Sequence, residues 1–230
     1  GFCGILMTNE SFAESMPTTP TASTRRVRRK QDRPGELLQA ALELFVEKGF
    51  AATRSEEVAQ RAGVSKGTLF LYFPTKEDLF KAVVQATLVP TLAQGQAAVS
   101  QFDGPSGVLL EMLMVRWWQE HGDTPASGIA KLVMSEARNF PALAQFFRET
   151  VILPFRQLVR TVLQRGVDRG EFEPMNIDLV MHSVLSPMIF LVMWKHTISQ
   201  VCPDPQDVQP EAFIREHARL LVRALERRAP

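Results

Sequence analysis

Cysteine is nearly absent from this chain: Cys3 and Cys202 stand almost two hundred residues apart, with no CxxC pair and no Cys/His cluster. That spacing argues against a disulfide framework or a zinc site and fits a reducing cytosol. Long apolar runs are lacking too. The longest nearly apolar stretch, Leu179–Trp194, covers 16 positions and contains His182, Ser183, Ser186 and Pro187, so it reads as too short and too polar to span a membrane. No alternation of apolar and polar residues is long enough for a strand. The four histidines (His121, His182, His196, His217) show neither HxxxH nor ExxH spacing, and no metal is expected. Gly1–Met16 has no basic n-region, and Gly4 breaks its apolar run, which argues against a secretory signal; since the first residue is Gly rather than Met, Met7 and Met16 are candidates for the natural start.

What the chain does contain is ordinary for a soluble protein: 45% hydrophobic and 22% charged residues over 230 positions. Net charge is +1, yet it is unevenly spread. Residues 24–85 carry twelve basic against eight acidic side chains, while the remainder is slightly acidic. A basic segment points to a polyanion partner. Its most concentrated part, Arg25-Arg26-Val27-Arg28-Arg29-Lys30 with Arg33, forms an arm of the kind that lies along phosphates or in a minor groove, and equally of the kind that is a solvated linker. Pro17–Thr24, with its threonines and prolines, reads as a linker before it, so residues 1–24 form a flexible tail.

Helix signals then follow one another. Pro34 suits a first helical turn, and Leu37, Leu38, Ala41, Leu44 and Phe45 recur at helical spacing until Gly49. Thr53-Arg54-Ser55-Glu56 has the capping-box form and predicts a short helix over Arg54–Ala62. Gly63-Val64 predicts a tight turn, Ser65 a cap, and Pro74 the end of the helix that Ser65 opens. Thr75-Lys76-Glu77-Asp78 starts a longer helix with acids in its first turn. Three short helices with a two-residue turn between the second and third describe a helix-turn-helix domain, residues 25–81 with its arm. On the third helix Leu69 and Phe73 point inward, which leaves Lys66, Thr68, Leu71 and Tyr72 for the outside. Gly63-Val64-Ser65-Lys66-Gly67 also fits the hydrolase pattern GxSxG, but that chemistry needs a strand before the serine, and here a helix precedes it.

Through AALELFVEKGF, AGVSKGTLFLYFPTKEDLF and Thr53 between them, Leu37–Lys81 closely resembles the TetR family of bacterial transcription regulators. The segment ARNFPALAQFFRETVILPF is similar to many members further along the chain. The resemblance implies DNA contact by Lys66, Gly67, Thr68, Leu71 and Tyr72, and the capping Ser65 at the start of the same helix is counted with them. It implies phosphate contact by Thr53, Ser55 and Lys76, with Arg28 and Arg29 of the arm added from their charge.

Residues 82–230 read as helices over 105–121, 126–139, 141–169, 177–199 and 210–228. The 177–199 helix has no polar face and needs cover on all sides, which a second subunit provides most easily. Met112, Trp117, His121, Phe147, Phe155, Phe190 and Met193 are large or pliable residues; singly each reads as core, and together, in this family, they suggest an apolar pocket. The expectation is therefore an all-α chain: a three-helix helix-turn-helix domain, then a larger helical ligand-binding and dimerisation domain. Its partners would be double-stranded operator DNA, a small apolar or aromatic effector and a second copy, with no cofactor and no membrane. A repressor released from a palindromic operator in the cytoplasm follows from the resemblance. The rival reading is an all-α scaffold using its basic arm on RNA or acidic lipid. No convergent acid, base or metal groups suggest an enzyme.

Overall fold

The computed structural model describes residues 22–204, 206 and 208–227, and of 22–32 the backbone alone. The side chains of Arg28 and Arg29, and residues 1–21 of the tail, lie outside the described residues. Among these there are twelve α-helices and no strand. The N-terminal unit, up to Arg33, is helical from Ala22; the second unit begins at Pro34.

Helix α1 runs Ala22–Lys48, with Pro34 inside it rather than at its first turn. Arginine, lysine and glutamine between 25 and 33 are good helix formers with no glycine among them, so one missing amide hydrogen bond at Pro34 does not end the helix. Gly49, at φ +85°, does end it. Helices α2 (Ser55–Arg61), α3 (Lys66–Tyr72) and α4 (Lys76–Thr87) follow at the expected places. Phe45, Phe50 and Phe80 make a three-ring cluster with centroids 5.5–5.8 Å apart, surrounded by Leu37, Leu44, Val58, Leu69, Leu79 and Val83. This core does not stop at the helix-turn-helix. It continues without a break into Ile129, Leu132, Val133, Leu143 and Phe147 of α7 (Gly128–Glu136) and α8 (Pro141–Phe147).

A second core joins α6 (Ser106–Trp117), α9 (Leu153–Asp168), α10 (Ile177–Lys195) and α12 (Pro210–Leu225), through Leu109, Met114, Val162, Leu163, Val184, Leu191, Ile214 and Ala218. Gly166 is required here, because a Cβ at that position would run into the buried Phe172 ring. Helices α5 (Val89–Gln101) and α11 (Ile198–Val201) complete the set. The stretch Ile177–Val201 is long and apolar enough, by length and composition, to cross a membrane, which corrects the shorter count made over Leu179–Trp194. Its helix is interrupted after Lys195, and Met181, Val184, Met188, Leu191 and Val192 are buried within the protein. The opposite face carries Leu179 and Phe190, 67% and 52% exposed.

Two helices contain a π-helical turn. One, Trp118–Gly122, ends α6, and the other, Arg148–Ile152, joins α8 to α9 just before Pro154. Proline has no N–H for the carbonyl four residues back and crowds it, so a widened turn at Arg148–Ile152 lets the helix pass.

Candidate DNA interface and effector cavity

Helix α2 turns into α3 through Gly63, at φ +66°, where an amide of Gly63 donates to the Gln60 carbonyl at 3.1 Å and Val64 donates to Ala59 at 2.9 Å. The Ser65 hydroxyl accepts the Thr68 amide at 3.1 Å and shares a 2.9 Å hydrogen bond with the Thr68 hydroxyl. Ser65 is thus the cap that the sequence suggests, and its hydroxyl pairs with the other hydroxyl of the same turn. The exposed side of α3 presents Lys66, Gly67 and Leu71, with Thr68 half-buried. Leu71 is 80% exposed although it sits on a helix whose other leucine, Leu69, is fully buried. Lys66 pairs with Glu56 and lies 5.6 Å above the Phe70 ring; the ammonium beside Glu56 holds that carboxyl below the usual range. Tyr72 is half-buried beside Phe73, and Phe73 is itself only partly covered.

Two residues assigned to phosphate are engaged elsewhere. Thr53 is 1% exposed, and its hydroxyl donates to the carbonyls of Leu44 at 3.1 Å and Gly49 at 2.7 Å. It closes the end of α1 and faces no solvent. The capping box is displaced by one residue: Arg54 is the cap position of α2, and Glu57, not Glu56, reaches back to its amide at 3.3 Å. The Lys76 ammonium donates to the carbonyls of Phe50 at 2.8 Å, Ala51 at 3.3 Å and Thr53 at 3.0 Å, and sits 4.5 Å over the Phe50 ring. An ammonium has three hydrogens, so none remains for a phosphate. Ser55 opens α2 and is half-buried. Arg54, missed in the sequence because it stood inside the expected box, is exposed and has no ion-pair partner among the described residues.

A cavity of about 290 Å³ lies between α5, α7, α8, α9 and α10, near the lower end of ligand-site volumes. Both π-turns border it: His121 comes from the first, just after Trp117 at the end of α6, and Val151 and Ile152 from the second, between Phe147 of α8 and Phe155 of α9. Ala130, Val133 and Met134 of α7 and Leu185, Met188 and Ile189 of α10 complete most of the wall. A smaller space of about 50 Å³ adjoins it across Thr91, Trp117, Phe155 and Met188. Polar groups are few. His121 is 6% exposed, its ring lies 5.1 Å from that of Trp117, and burial, followed by the Lys195 ammonium, pushes its pKa down to about 4. The imidazole is therefore neutral at pH 7. Neither it nor the Thr91 hydroxyl has a side-chain hydrogen-bond partner among the described residues. His196 is likewise held neutral, with a pKa of about 4 through burial and then Lys195, but it shares a 2.8 Å hydrogen bond with Ser127.

Of the seven pocket residues expected from the sequence, Trp117, His121, Phe147 and Phe155 line this cavity. Met112, Phe190 and Met193 do not. Met112 packs on the second core. Phe190 follows Ile189 by one position, about 100° around the helix, and faces a surface groove with Pro187, Phe213 and His217. Met193 lies a turn beyond Ile189, past the cavity's end. The walls that were missed, Leu88, Ala130, Val133, Leu185 and Ile189, are small or aliphatic side chains that read as plain core in sequence.

Residues 37–83 match the family described as bacterial regulatory proteins of the tetR family, and residues 109–201 match a tetracyclin repressor-like C-terminal domain; together these spans exceed half the chain. The chain belongs to the TetR family of bacterial transcription regulators. Among its relatives, the transcriptional repressor KstR2 of Mycolicibacterium smegmatis is 28% identical over 70% of this chain and 78% of its own length. The uncharacterized regulator YfiR of Bacillus subtilis is also 28% identical, over 63% of this chain and 70% of its own. The crystal structure of FadR from Bacillus subtilis, in complex with stearoyl-CoA, shares the fold with a TM-score of 0.70 at 18% identity, covering 84% of this chain and 99% of that one. TetR-family proteins are transcriptional regulators rather than a family of enzymes.

Proposed function

We propose that this TetR-family chain is a dimeric, cytoplasmic repressor that holds a palindromic operator through α3 and is released when a small, uncharged, mostly apolar molecule fills the cavity beside Trp117 and His121. The observation that carries the DNA assignment is Leu71: a leucine 80% exposed in the last turn of α3 gains nothing from water, and a thymine methyl in a major groove gives it apolar contact. Thr68, about 60° around the helix from Leu71, and exposed Lys66 at its start supply donors, and exposed Arg54 takes the phosphate role that Thr53 and Lys76 cannot fill. Internal packing does not require Gly67, since a Cβ there would meet only the Ser65 hydroxyl at 3.9 Å, and on the outer side the glycine leaves room for close approach to the duplex.

Effector chemistry follows from the walls. An apolar cavity with a neutral imidazole and one free hydroxyl favours a ligand carrying a hydrogen-bonding but uncharged group. Among the structures that share this architecture, KstR2 is described as a ketosteroid transcriptional regulator and FadR is seen in complex with stearoyl-CoA; of the two chemistries the uncharged, apolar ketosteroid fits these walls, whereas the phosphates of a CoA thioester do not. For assembly, the exposed apolar face of α10, with Leu179 and Phe190, and the neighbouring Leu220 of α12 offer a self-complementary surface for a two-fold dimer.

The test uses the full chain and a pool of random duplexes. The chain should enrich an inverted repeat with half-sites about one turn (~34 Å) apart or somewhat more, and sediment at twice its own mass. Leu71→Ala should lower affinity for that repeat by about tenfold, ~1.4 kcal/mol, while its melting temperature stays that of the parent. Enrichment of no inverted repeat, or a stable monomer at micromolar concentration, refutes the assignment.

A further inference from the structure

The turn between α1 and α2 is gripped from two directions. From α4, Lys76 takes the carbonyls of Phe50, Ala51 and Thr53. From α7, the Glu136 carboxylate accepts the amides of the same turn, Phe50 N–H at 2.7 Å and Ala51 N–H at 3.0 Å, one on each oxygen. The turn is shaped to receive it. Gly49 stands at φ +85°, and a Cβ there would come within 2.5 Å of Glu136 Oε1, so the carboxylate fills the room that the glycine leaves. The Phe50 ring packs edge-on against Phe140, just past the end of α7, at 4.8 Å between centroids.

Glu136 is the last residue of a nine-residue helix whose other face forms cavity wall through Ala130, Val133 and Met134. The first residue of that helix, Gly128, abuts α1 as well: a Cβ on it would stand 2.7 Å from Val46. A helix of this length spans about 13 Å and moves as a unit, because its amides and carbonyls are bonded to one another. Its position is therefore passed to the α1–α2 turn by whatever bonds the two. The apolar contacts around Val46 and Phe50 are non-directional and tolerate sliding, whereas two charge-assisted hydrogen bonds to adjacent amides fix both distance and direction.

We propose that Glu136 is a positioning residue that sets the orientation of the helix-turn-helix on the cavity-bearing helix α7, and with it the half-site spacing that the dimer accepts. This rests on the operator-binding reading above. Glu136 itself touches neither the exposed face of α3 nor the cavity. Its effect is confined to where the two recognition helices stand, not to how tightly each holds its own half-site.

The chemistry separates the conservative variants. A glutamine can accept one amide through its Oε1, but its amide group then points donors at the second N–H, so Glu136→Gln keeps the shape and loses one bond. Glu136→Ala loses both. The experiment takes the inverted repeat selected by the parent chain and a set of duplexes with the half-sites moved one base pair closer or farther. Affinities for the set are measured for the parent, Glu136→Gln and Glu136→Ala, together with helical circular dichroism, melting temperature and the affinity of a single half-site duplex. The parent should prefer its own spacing by at least tenfold. Glu136→Ala should fall below threefold preference and Glu136→Gln should lie between, with single half-site affinity unchanged in both. A merely structural role would lower all affinities together and leave the ratio between spacings intact. That result overturns the proposal, as does parental discrimination in Glu136→Gln, the variant that decides the matter where Glu136→Ala does not fold. A parent chain that enriches no repeat overturns the operator reading, and this inference with it; a parent that binds its repeat with a spacing preference untouched by either substitution overturns this inference alone.

Discussion

Replacing Lys76 with methionine distinguishes a buried clamp from a phosphate contact. Methionine keeps the apolar stem over Phe50 and removes only the ammonium, leaving the carbonyls of Phe50, Ala51 and Thr53 without their shared donor. A hydrogen bond to a charged group contributes about 1.5–3 kcal/mol where water cannot replace it. Two of these three bonds are part-buried and one is exposed, so water recovers a share. The sum is then of the order of one such bond, about 1.5–3 kcal/mol, rather than three. For a chain of this length each kcal/mol moves the melting temperature by about 2–4 °C, which gives a fall of about 3–12 °C. The second readout is the salt dependence of operator affinity. A lysine on phosphate in each half-site contributes roughly 0.9 apiece to the slope of log affinity against log salt. Lys76→Met should leave that slope unchanged, while Lys66→Ala or Arg54→Ala should reduce it. Calorimetry together with operator titrations between 50 and 200 mM salt measures both. A Lys76→Met protein that melts with the parent and loses slope by nearly two refutes the reasoning.

The Thr53 hydroxyl is subject to the same test from inside the fold: Thr53→Val, nearly isosteric, should cost about 1–3 kcal/mol by leaving the Leu44 and Gly49 carbonyls short of a donor, and Thr53→Ser should recover most of it, as followed by urea denaturation. His121 predicts a pH dependence of stability. Its pKa of about 4 in the fold lies below that of the unfolded chain, about 6.5, so between those values the unfolded state binds more protons. Stability is therefore full above pH 6.5 and falls toward pH 4, by up to about 1.4 kcal/mol per pH unit from this group. His196 contributes in the same window, so His121→Gln should lessen that part of the slope of the urea-midpoint profile without abolishing it, and an unaltered profile would count against a neutral buried imidazole.

Much of the helix-turn-helix could be read from sequence because its signals are local. Gly63, Ser65, Thr75 and Pro74 each act on backbone within four residues, and each appears where a single-chain reading puts it. Thr53 went wrong for a related reason. A threonine before Arg-Ser-Glu satisfies the capping pattern in one register, and the neighbouring register uses Arg54 and Glu57 equally well. Nothing in five residues of sequence tells which; the choice is made by Leu44 and Gly49, nine and four positions away, whose carbonyls capture the hydroxyl. Lys76 is the same case at a longer range, since its acceptors lie more than twenty residues back. The cavity was half legible. Aromatic residues at Trp117, Phe147 and Phe155 mark it, but helical periodicity alone cannot place Phe190 outside it, because a face of α10 that looks continuous in composition divides between cavity and surface.

The π-turn at Arg148–Ile152 accounts for one further part of the wall. In a regular α-helix, residues 147, 151 and 155 share a face while 152 is turned about 100° from 151. Widening Arg148–Ile152 brings Phe147, Val151, Ile152 and Phe155 all to the cavity. Pro154 is the only local trace of that widening, and a proline in a helix reads equally as a kink. The same walls tie the cavity to the DNA-binding domain. Leu88, Val133 and Phe147 line the cavity and also belong to the core that holds Phe45, Phe50 and Phe80 together. A close-packed interior does not absorb a new neighbour by local give, because its side chains already sit at van der Waals distance. A ligand that moves Phe147 or Val133 must therefore move their neighbours on α7 and α8, and the helix-turn-helix shares its core with both. The shared core thus joins the cavity wall to the DNA-binding domain, and the hydrogen bonds from Phe50 and Ala51 to Glu136 are proposed to fix the direction in which that coupling acts.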